Sequence, residues 1–427
     1  MLDIQFIRDN AKHVAEKSRQ KGFDVDIGKL LELDEKRRRL IGEVEELRAK
    51  RNELSGSKKP STEQITKGRE LKEKIAKTED ELGKTEQEFN VLLKKVPNMP
   101  TDDVPVGSKE EDNKVIKTVG EKPKFDFELK NHAELGEALG FIDKERAAKV
   151  AGSRFAYIKG DLVKLQFALI QFGLDVLTNE DTLKQIIKDN KLKVSSKPFI
   201  PVLPPAVAQT AAYEATGRLN KEEQTYKLAD DDLWLNASAE HTLAPMHMDE
   251  ILDEKDFPIR YVGYTTAFRR EAGTYGKDTE GIFRLHQFDK LEMESFSVSE
   301  NSMQEHMFMI AIQEYLMQQL KLPYQVVLKC SGEIGGPNAR GVDIETWLPS
   351  QNLYRETHTA DYITDYQARR LKTRIRRDSG EVELVHTNDA TAFSQRPLIA
   401  IMENYQTKDG NFEIPEVLKP YLQRNTQ

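Results

Sequence analysis

Cysteine is almost absent: Cys330 is the only one in 427 residues. No disulfide can close within the chain and no multi-cysteine metal site can be assembled, so a reducing compartment, the cytoplasm, is the simple expectation. Nothing approaches the roughly 18 consecutive apolar residues of a membrane-crossing helix. The opening MLDIQFIRDNAKHVAEKS carries acidic residues and no apolar core run, which excludes a secretory signal. An overall basic excess is missing too: Lys+Arg 64 stand against Asp+Glu 72, a net charge of −8. Any nucleic-acid contact must therefore rest on local patches. What the chain does have is charge, 32% of residues, beside 38% hydrophobic ones, and a length that suits two or three domains with a large core.

Aromatic residues are missing from one long stretch. Residues 28–97 hold only Phe89 and are dense in Lys, Arg and Glu. Leu33, Leu40, Leu47 and Leu54 recur every seven residues, and after a break so do Ile75, Leu82, Phe89 and Val96. A seven-residue apolar repeat keeps one seam of a helix against a partner. Between the runs, SGSKKPS supplies Gly and Pro to reverse the chain. The expectation is an antiparallel helical hairpin roughly 45 Å long, from 1.5 Å per residue. Near its tip, Arg48, Lys50, Arg51, Lys58 and Lys59 face only Glu53, and Arg37 and Arg51 fall on the seam side. A solvated helical face would look the same. The boundaries read as an N-terminal domain over 1–105, a Pro-, Asp- and Lys-rich linker over 106–130 and a larger domain over 131–427.

The chemistry concentrates in residues 268–292, FRREAGTYGKDTEGIFRLHQFDKLE. Apolar runs flank a segment containing Gly273, Gly276 and Gly281, which predicts a strand, a long loop and an antiparallel strand. Charges at strand positions are costly unless they face a ligand. Arg269 and Arg284 offer forked donors for phosphate or carboxylate oxygens. Phe288 offers a flat face for a base, and Glu271 and Glu292 accept hydrogen bonds from amino groups. His241 and His247, with Asp249 nearby, match no usual metal-ligand spacing.

This stretch resembles motif 2 of the class II aminoacyl-tRNA synthetases, and its wording is similar to the seryl-tRNA synthetases in particular. Lys197-Pro-Phe-Ile-Pro-Val-Leu-Pro-Pro resembles motif 1, with Pro204 or Pro205 as the motif proline. Trp234-Leu-Asn-Ala-Ser-Ala-Glu resembles the family's Thr-Ala-Glu stretch, with Ser238 in place of Thr. Asp343-Ile-Glu-Thr-Trp-Leu-Pro through Tyr354-Arg-Glu also matches. Residues 385–405 align with motif 3, ending on Arg396, but the motif's glycines are missing and one residue is deleted. Asp389 stands where Asn is usual, unless Asn388 fills that place.

The resemblance implies an α+β protein: a class II catalytic domain on an antiparallel β-sheet, with an N-terminal antiparallel coiled-coil arm. It implies an ATP-dependent serine–tRNA ligase, acting as a homodimer off the membrane, with Mg²⁺ as cofactor. It places Arg269 and Arg396 as catalytic cations. ATP falls to Arg269, Arg270, Glu271, Arg284, Phe288, Glu356, Thr357, His358, Thr359 and Arg396, with the metal on Glu356 and Thr359. L-Serine falls to Ser238, Ala239, Glu240, Arg269, Glu292 and Thr391. The arm, through Arg51, Lys58 and Lys59, meets tRNA-Ser. Two other readings are a non-catalytic relative that keeps the arm to bind RNA, favoured only by the altered motif 3, and a ligase acting on a carrier protein, whose relatives lack the arm.

Overall fold

The seven-residue repeat does what its period dictates. In the computed structural model, which describes residues 1–55, 61–219, 225–271 and 280–422, the helices Ile27–Ser55 and Thr62–Lys95 pack against each other. Leu33, Leu40 and Leu47 are buried on the first, and Ile75 and Phe89 on the second, with Leu54 and Leu82 half-buried. The second helix opens with a capping box: Gln64 N–H donates to Ser61 Oγ at 3.2 Å, and Ser61 N–H to Gln64 Oε1 at 2.8 Å. Arg37 sits on the seam because its guanidinium lies 4.6 Å over the Phe89 ring and its Nη2 reaches Asp34 at 3.4 Å. Arg48–Glu79 at 2.7 Å and Lys36–Glu81 at 2.8 Å tie the helices along their exposed flanks. With two short helices, Ile4–Asp9 and Ala11–Gln20, this forms one compact unit, Met1–Met99.

The second unit, Pro100–Gln427, is built on an eight-stranded sheet. Its strands are β1 (Lys114–Val119), β2 (Ile200–Val202), β3 (Ile259–Phe268), β4 (Gln287–Ser297), β5 (Tyr324–Leu328), β6 (Arg340–Leu348), β7 (Leu353–Thr364) and β8 (His386–Ser394). Across the sheet the order is β1-β5-β6-β7-β8-β4-β3-β2. Every pairing is antiparallel except the short edge contact β2–β3. Residues 114–119, inside the stretch expected to be a linker, form the edge strand β1 instead, paired from Lys114↔Leu328 to Val119↔Tyr324. Its five exposed positions are what an edge strand tolerates, and they disguised it in a Lys- and Asp-rich segment.

Strand alternation gives the sheet two unlike faces. One carries Leu291, Met293, Ala390 and Phe393, all fully buried under the helices Asp161–Thr178 and Ser302–Gln319. Gly173 allows the first helix its close approach: a Cβ there would lie 2.9 Å from both Leu291 Cδ2 and Phe393 Cδ2. The other face carries Phe288, Lys290, Glu292 and Glu294 on β4 and Asp389 and Thr391 on β8. Its side chains meet in direct cross-strand pairs: Asp389↔Glu294, Thr391↔Glu292, Asp361↔Asp389 and Asp343↔Thr359. So many charges on one buried face mark it as the working side. Among the described residues no helix is long and apolar enough to cross a membrane.

Candidate active site

The turn into β4 is fixed from behind. Gly281 has φ +60°, and a Cβ there would run into His132 Nε2. His132 Nε2 accepts the Ile282 N–H at 3.3 Å, while its Nδ1 pairs with the buried Glu403 at 3.0 Å. At the other end of the loop Glu271 sits at φ +49°, a left-handed backbone unusual for a residue with a Cβ. Arg154 Nη1 donates to its carbonyl at 2.5 Å and holds it there. Gly273, Gly276 and the rest of 272–279 lie outside the described residues.

Between these anchors opens a cleft of about 620 Å³, lined by Arg269, Glu271, Phe283, Arg284, Phe288, Lys290, Glu356, Thr359, Thr391 and Arg396 among others. Cations and acids pair across it: Arg284 with Glu271 at 3.3 Å and Arg396 with Glu356 at 2.9 Å. Arg269 lies 5.1 Å over the Phe288 ring and donates from Nε to the Ala237 carbonyl at 3.2 Å. Phe283, missed in the sequence, carries Arg355 at 4.3 Å and Arg396 at 4.8 Å from its ring centre. Desolvation works against the charge of Glu356, yet Arg396, Lys329 and Arg269 hold its carboxyl down to about 2. A carboxylate held charged and about half exposed, 46%, can bind a hard cation.

The neighbouring strands extend the cleft into a buried floor. Ser238, Glu240, Glu292 and Thr391 are each at most 4% exposed. Lys290 Nζ joins two of them, 2.5 Å from Glu292 Oε2 and 3.2 Å from Ser238 Oγ. Burial pushes the Glu292 carboxyl up, against the pull of Lys290. Asp389 lies on this floor, not at the surface, and Asn388 points the other way, donating to the Ser302 carbonyl at 3.3 Å on the helix-covered side. Burial, then the negative charge of Glu240, raises Asp389 well above the usual carboxylate range.

Comparison with known proteins decides the family. Residues 1–100 match the family described as seryl-tRNA synthetase N-terminal domain, and residues 225–405 match the tRNA synthetase class II core domain (G, H, P, S and T). The serine–tRNA ligase of Syntrophotalea carbinolica is 39% identical over 431 residues, covering 99% of this chain and 98% of that protein. That of Nitrosopumilus maritimus is 38% identical over 432 residues, covering 99% of each. The chain belongs to the seryl-tRNA synthetase family. Among solved structures, the seryl-tRNA synthetase from Pyrococcus horikoshii complexed with ATP superposes with a TM-score of 0.88 at 36% identity, over 99% of this chain and 98% of that one. The cytoplasmic serine–tRNA ligase from Naegleria fowleri in complex with AMP gives 0.84 at 30% identity, over 99% and 97%.

Against this synthetase background the structure sorts the expected residues. Arg269, Glu271, Arg284, Phe288, Glu356, Thr357, Thr359, Thr391 and Arg396 share the cleft. Arg270 turns aside, its guanidinium 4.9 Å over the Tyr226 ring. Thr357 spends its hydroxyl on Thr346 Oγ1 at 2.7 Å and the Ile344 carbonyl at 3.1 Å. His358 stands on the helix-covered side, 6.0 Å from the Phe393 ring, and burial drops its imidazole to about 3. Ala239 is fully buried. His241 Nδ1 faces the Ala237 N–H at 3.1 Å, and His247 bonds Glu250 and Tyr261 at 2.8 and 2.9 Å. Lys58 and Lys59 lie outside the described residues.

One residue went unnoticed in the sequence although it ties the halves of the site together. Gln313 Nε2 donates to the carbonyls of both Thr359 and Thr391, at 2.8 Å each. The β6–β7 and β8–β4 ladders slip register beside these residues, and Gln313 occupies carbonyls a regular ladder would have used. A lone fully buried glutamine in the apolar run MFMIAIQEYLM was the available signal.

Proposed function

We propose that this chain activates L-serine with ATP and passes the seryl group to tRNA-Ser. A serine carboxylate oxygen attacks the α-phosphorus, the bond from that phosphorus to the bridging oxygen breaks, and pyrophosphate leaves. A hydroxyl of the terminal ribose then attacks the carbonyl carbon and AMP departs with its electron pair. The observation that carries this reading is one cleft in which Arg269, Arg284 and Arg396 converge beside a flat Phe288 and above a floor of small polar groups. Catalysis is positioning plus neutralisation, because carboxylate and phosphates repel each other.

Arg269 bridges the α-phosphate and the serine carboxylate. Arg284 and Arg396 take the outer phosphates, exchanging Glu271 and Glu356 for them. Phe288 stacks on adenine and Glu271 receives its amino group. Ser238 and Glu240 hold the serine ammonium, and Glu292 and Thr391 its hydroxyl. Glu356 and Thr359 suit Mg²⁺, because a carboxylate held ionised and a neighbouring hydroxyl are hard oxygen donors. When bound, the ion neutralises phosphate charge. Arg51, Lys58 and Lys59 on the arm contact tRNA phosphates. The edge strand β2 supports a homodimer, since Ile200 and Leu203 are 49% and 84% exposed. The single buried Cys330 suits the cytoplasm.

A non-catalytic RNA-binding role is not favoured, since it gives Arg269, Arg284, Arg396 and Glu356 no reason to converge. Serine-dependent exchange of labelled pyrophosphate into ATP, followed by charging of tRNA-Ser, tests the reading. Exchange without charging, or none with serine, sinks it. Thr391→Ala sharpens it: serine activation falls, because a buried site built for a hydroxyl loses a partner.

A further inference from the structure

Three carboxylates lie in direct cross-strand succession on the floor of the site: Glu294 opposite Asp389, and Asp389 opposite Asp361. Like charges directly opposite on neighbouring strands repel, and burial enlarges the cost. Glu294 is 0% exposed and neither of its oxygens makes a hydrogen bond among the described residues. Glu240 and Glu292 stand close by, each adding negative charge at Asp389. Lys290 answers Glu292. The charge that answers the others comes from outside the sheet. Arg218, just past the short helix Thr210–Ala215, inserts a side chain only 9% exposed. Its Nε donates to Glu240 Oε1 at 2.8 Å, and its Nη2 reaches Asp361 Oδ2 at 3.3 Å and Asp389 Oδ1 at 3.2 Å. Gln367 Nε2 also donates to Glu240 Oε1, at 2.7 Å. Both donors meet the same oxygen, and among the described residues Oε2 makes no hydrogen bond.

We propose that Arg218 is a positioning residue for amino-acid recognition: it fixes the Glu240 carboxylate by one oxygen, so that the other meets the substrate ammonium. This rests on the assignment of Glu240 to the serine pocket. Gln367 helps to hold the carboxylate but cannot replace the cation. Without Arg218, Glu240 stands among Glu292, Glu294 and Asp389, while of the nearby cations Lys290 is engaged by Glu292 and Arg269 by the Ala237 carbonyl and the Phe288 face. A carboxylate released from its anchoring donor turns away from its like-charged neighbours, and the ammonium then meets it in the wrong orientation.

Serine-dependent pyrophosphate exchange by the full chain, with serine and ATP titrated separately, tests this. Arg218→Gln raises the serine KM about tenfold at neutral pH and the ATP KM less than about threefold, since ATP touches none of these groups. Arg218→Lys keeps the charge without the fork, so its serine KM rises less. Equal loss for both substrates means a merely structural role and overturns the proposal, as does a wild-type serine KM in Arg218→Gln. Should Arg218→Gln not fold by circular dichroism, Arg218→Lys decides: a wild-type serine KM there overturns the proposal. Glu240→Gln separates the two claims. If it leaves the serine KM unmoved, the pocket assignment has failed. If it raises it while the Arg218 variants stay silent, only the role of Arg218 has failed.

Discussion

The arm and the sheet hold charge in opposite ways. Along the arm, Arg48–Glu79 and Lys36–Glu81 are about half exposed, while the stability comes from a leucine seam. Exposed pairs of that kind contribute little, typically about 0–1 kcal/mol. Inside the catalytic unit, Arg260–Glu305, Lys290–Glu292 and Arg218 with its carboxylates are nearly or fully buried. There each charge is expensive to desolvate and useful only because it is answered or used. The arm can therefore vary its surface cations freely to suit a ligand, whereas the sheet cannot change one charge without disturbing several.

The largest expected effect lies where charge meets substrate. Arg269→Ala removes the cation assigned to both reacting groups, and serine-dependent pyrophosphate exchange falls in kcat by about 10²–10³-fold. The fold persists, since Arg269 is exposed and its side-chain contacts, to the Ala237 carbonyl and the Phe288 face, lie at the cleft. Near-wild-type exchange would remove Arg269 from the centre of the site.

Next comes a buried charge with no catalytic part. Arg260 is 1% exposed on the helix-covered face, bonded to Glu305 at 2.8 and 2.7 Å and to the Lys197 and Ser195 carbonyls at 2.6 and 2.9 Å. Arg260→Ala strands Glu305 and costs about 3–5 kcal/mol, read from urea unfolding. Arg260→Met with Glu305→Met recovers part of it, since no buried charge is left alone. A single mutant as stable as the wild type would erase the contrast between the two units.

How much of this the sequence disclosed follows the same division. The arm's seam was readable because a seven-residue apolar period has one structural meaning, and Arg37 and Phe89 were visible on it. The strands β3 and β4 were readable from apolar runs flanking a glycine-containing segment, and the charges within them pointed to a ligand. What escaped was whatever depends on packing between distant segments. Nothing local marks Arg218 as a partner of Glu240, Asp361 and Asp389, because that meeting exists only after the sheet forms. Register slips beside Thr359 and Thr391 and the answering Gln313 are equally non-local. His358 was grouped with its neighbours in the chain, but strand alternation puts it on the far face. β1 was hidden because an exposed edge strand needs few apolar residues.

A smaller effect is expected at Asp389, and its sign can be worked out. Burial and neighbouring carboxylates, Glu240 first, raise its pKa in the folded protein, and Glu294 is raised in the same way, so the proton belongs to the pair. The folded state then holds a proton that the unfolded chain, with a carboxylate near about 3.9, gives up. The stabilisation is whole below that value and is lost as pH climbs toward the raised one, with a slope of at most about 1.4 kcal/mol per unit. Asp389→Asn mimics the protonated acid and lacks the loss. Its melting temperature, measured against the wild type from about pH 5 to 8, gains on the wild type as pH rises. A constant difference would mean that Asp389 keeps its charge through folding.

The smallest effect on stability, and the one that sharpens the comparison most, belongs to the arm. Arg48→Ala breaks a pair whose partners are 57% and 40% exposed, and it leaves the denaturant midpoint where it was. Arg51→Ala is its companion variant near the arm's tip. In tRNA binding the two part company. A cation that neutralises a phosphate releases a counterion, so losing it flattens the plot of log affinity against log salt by about 0.7–0.9. Arg51→Ala is expected to show that change, because Arg51 is among the tip cations assigned to tRNA. Arg48→Ala, whose guanidinium is engaged by Glu79, is expected to show a smaller one. Equal slopes for wild type and Arg51→Ala would take the arm's tip out of phosphate contact. A stability loss in Arg48→Ala would mean that the arm's charges are as tightly coupled as those beneath the sheet.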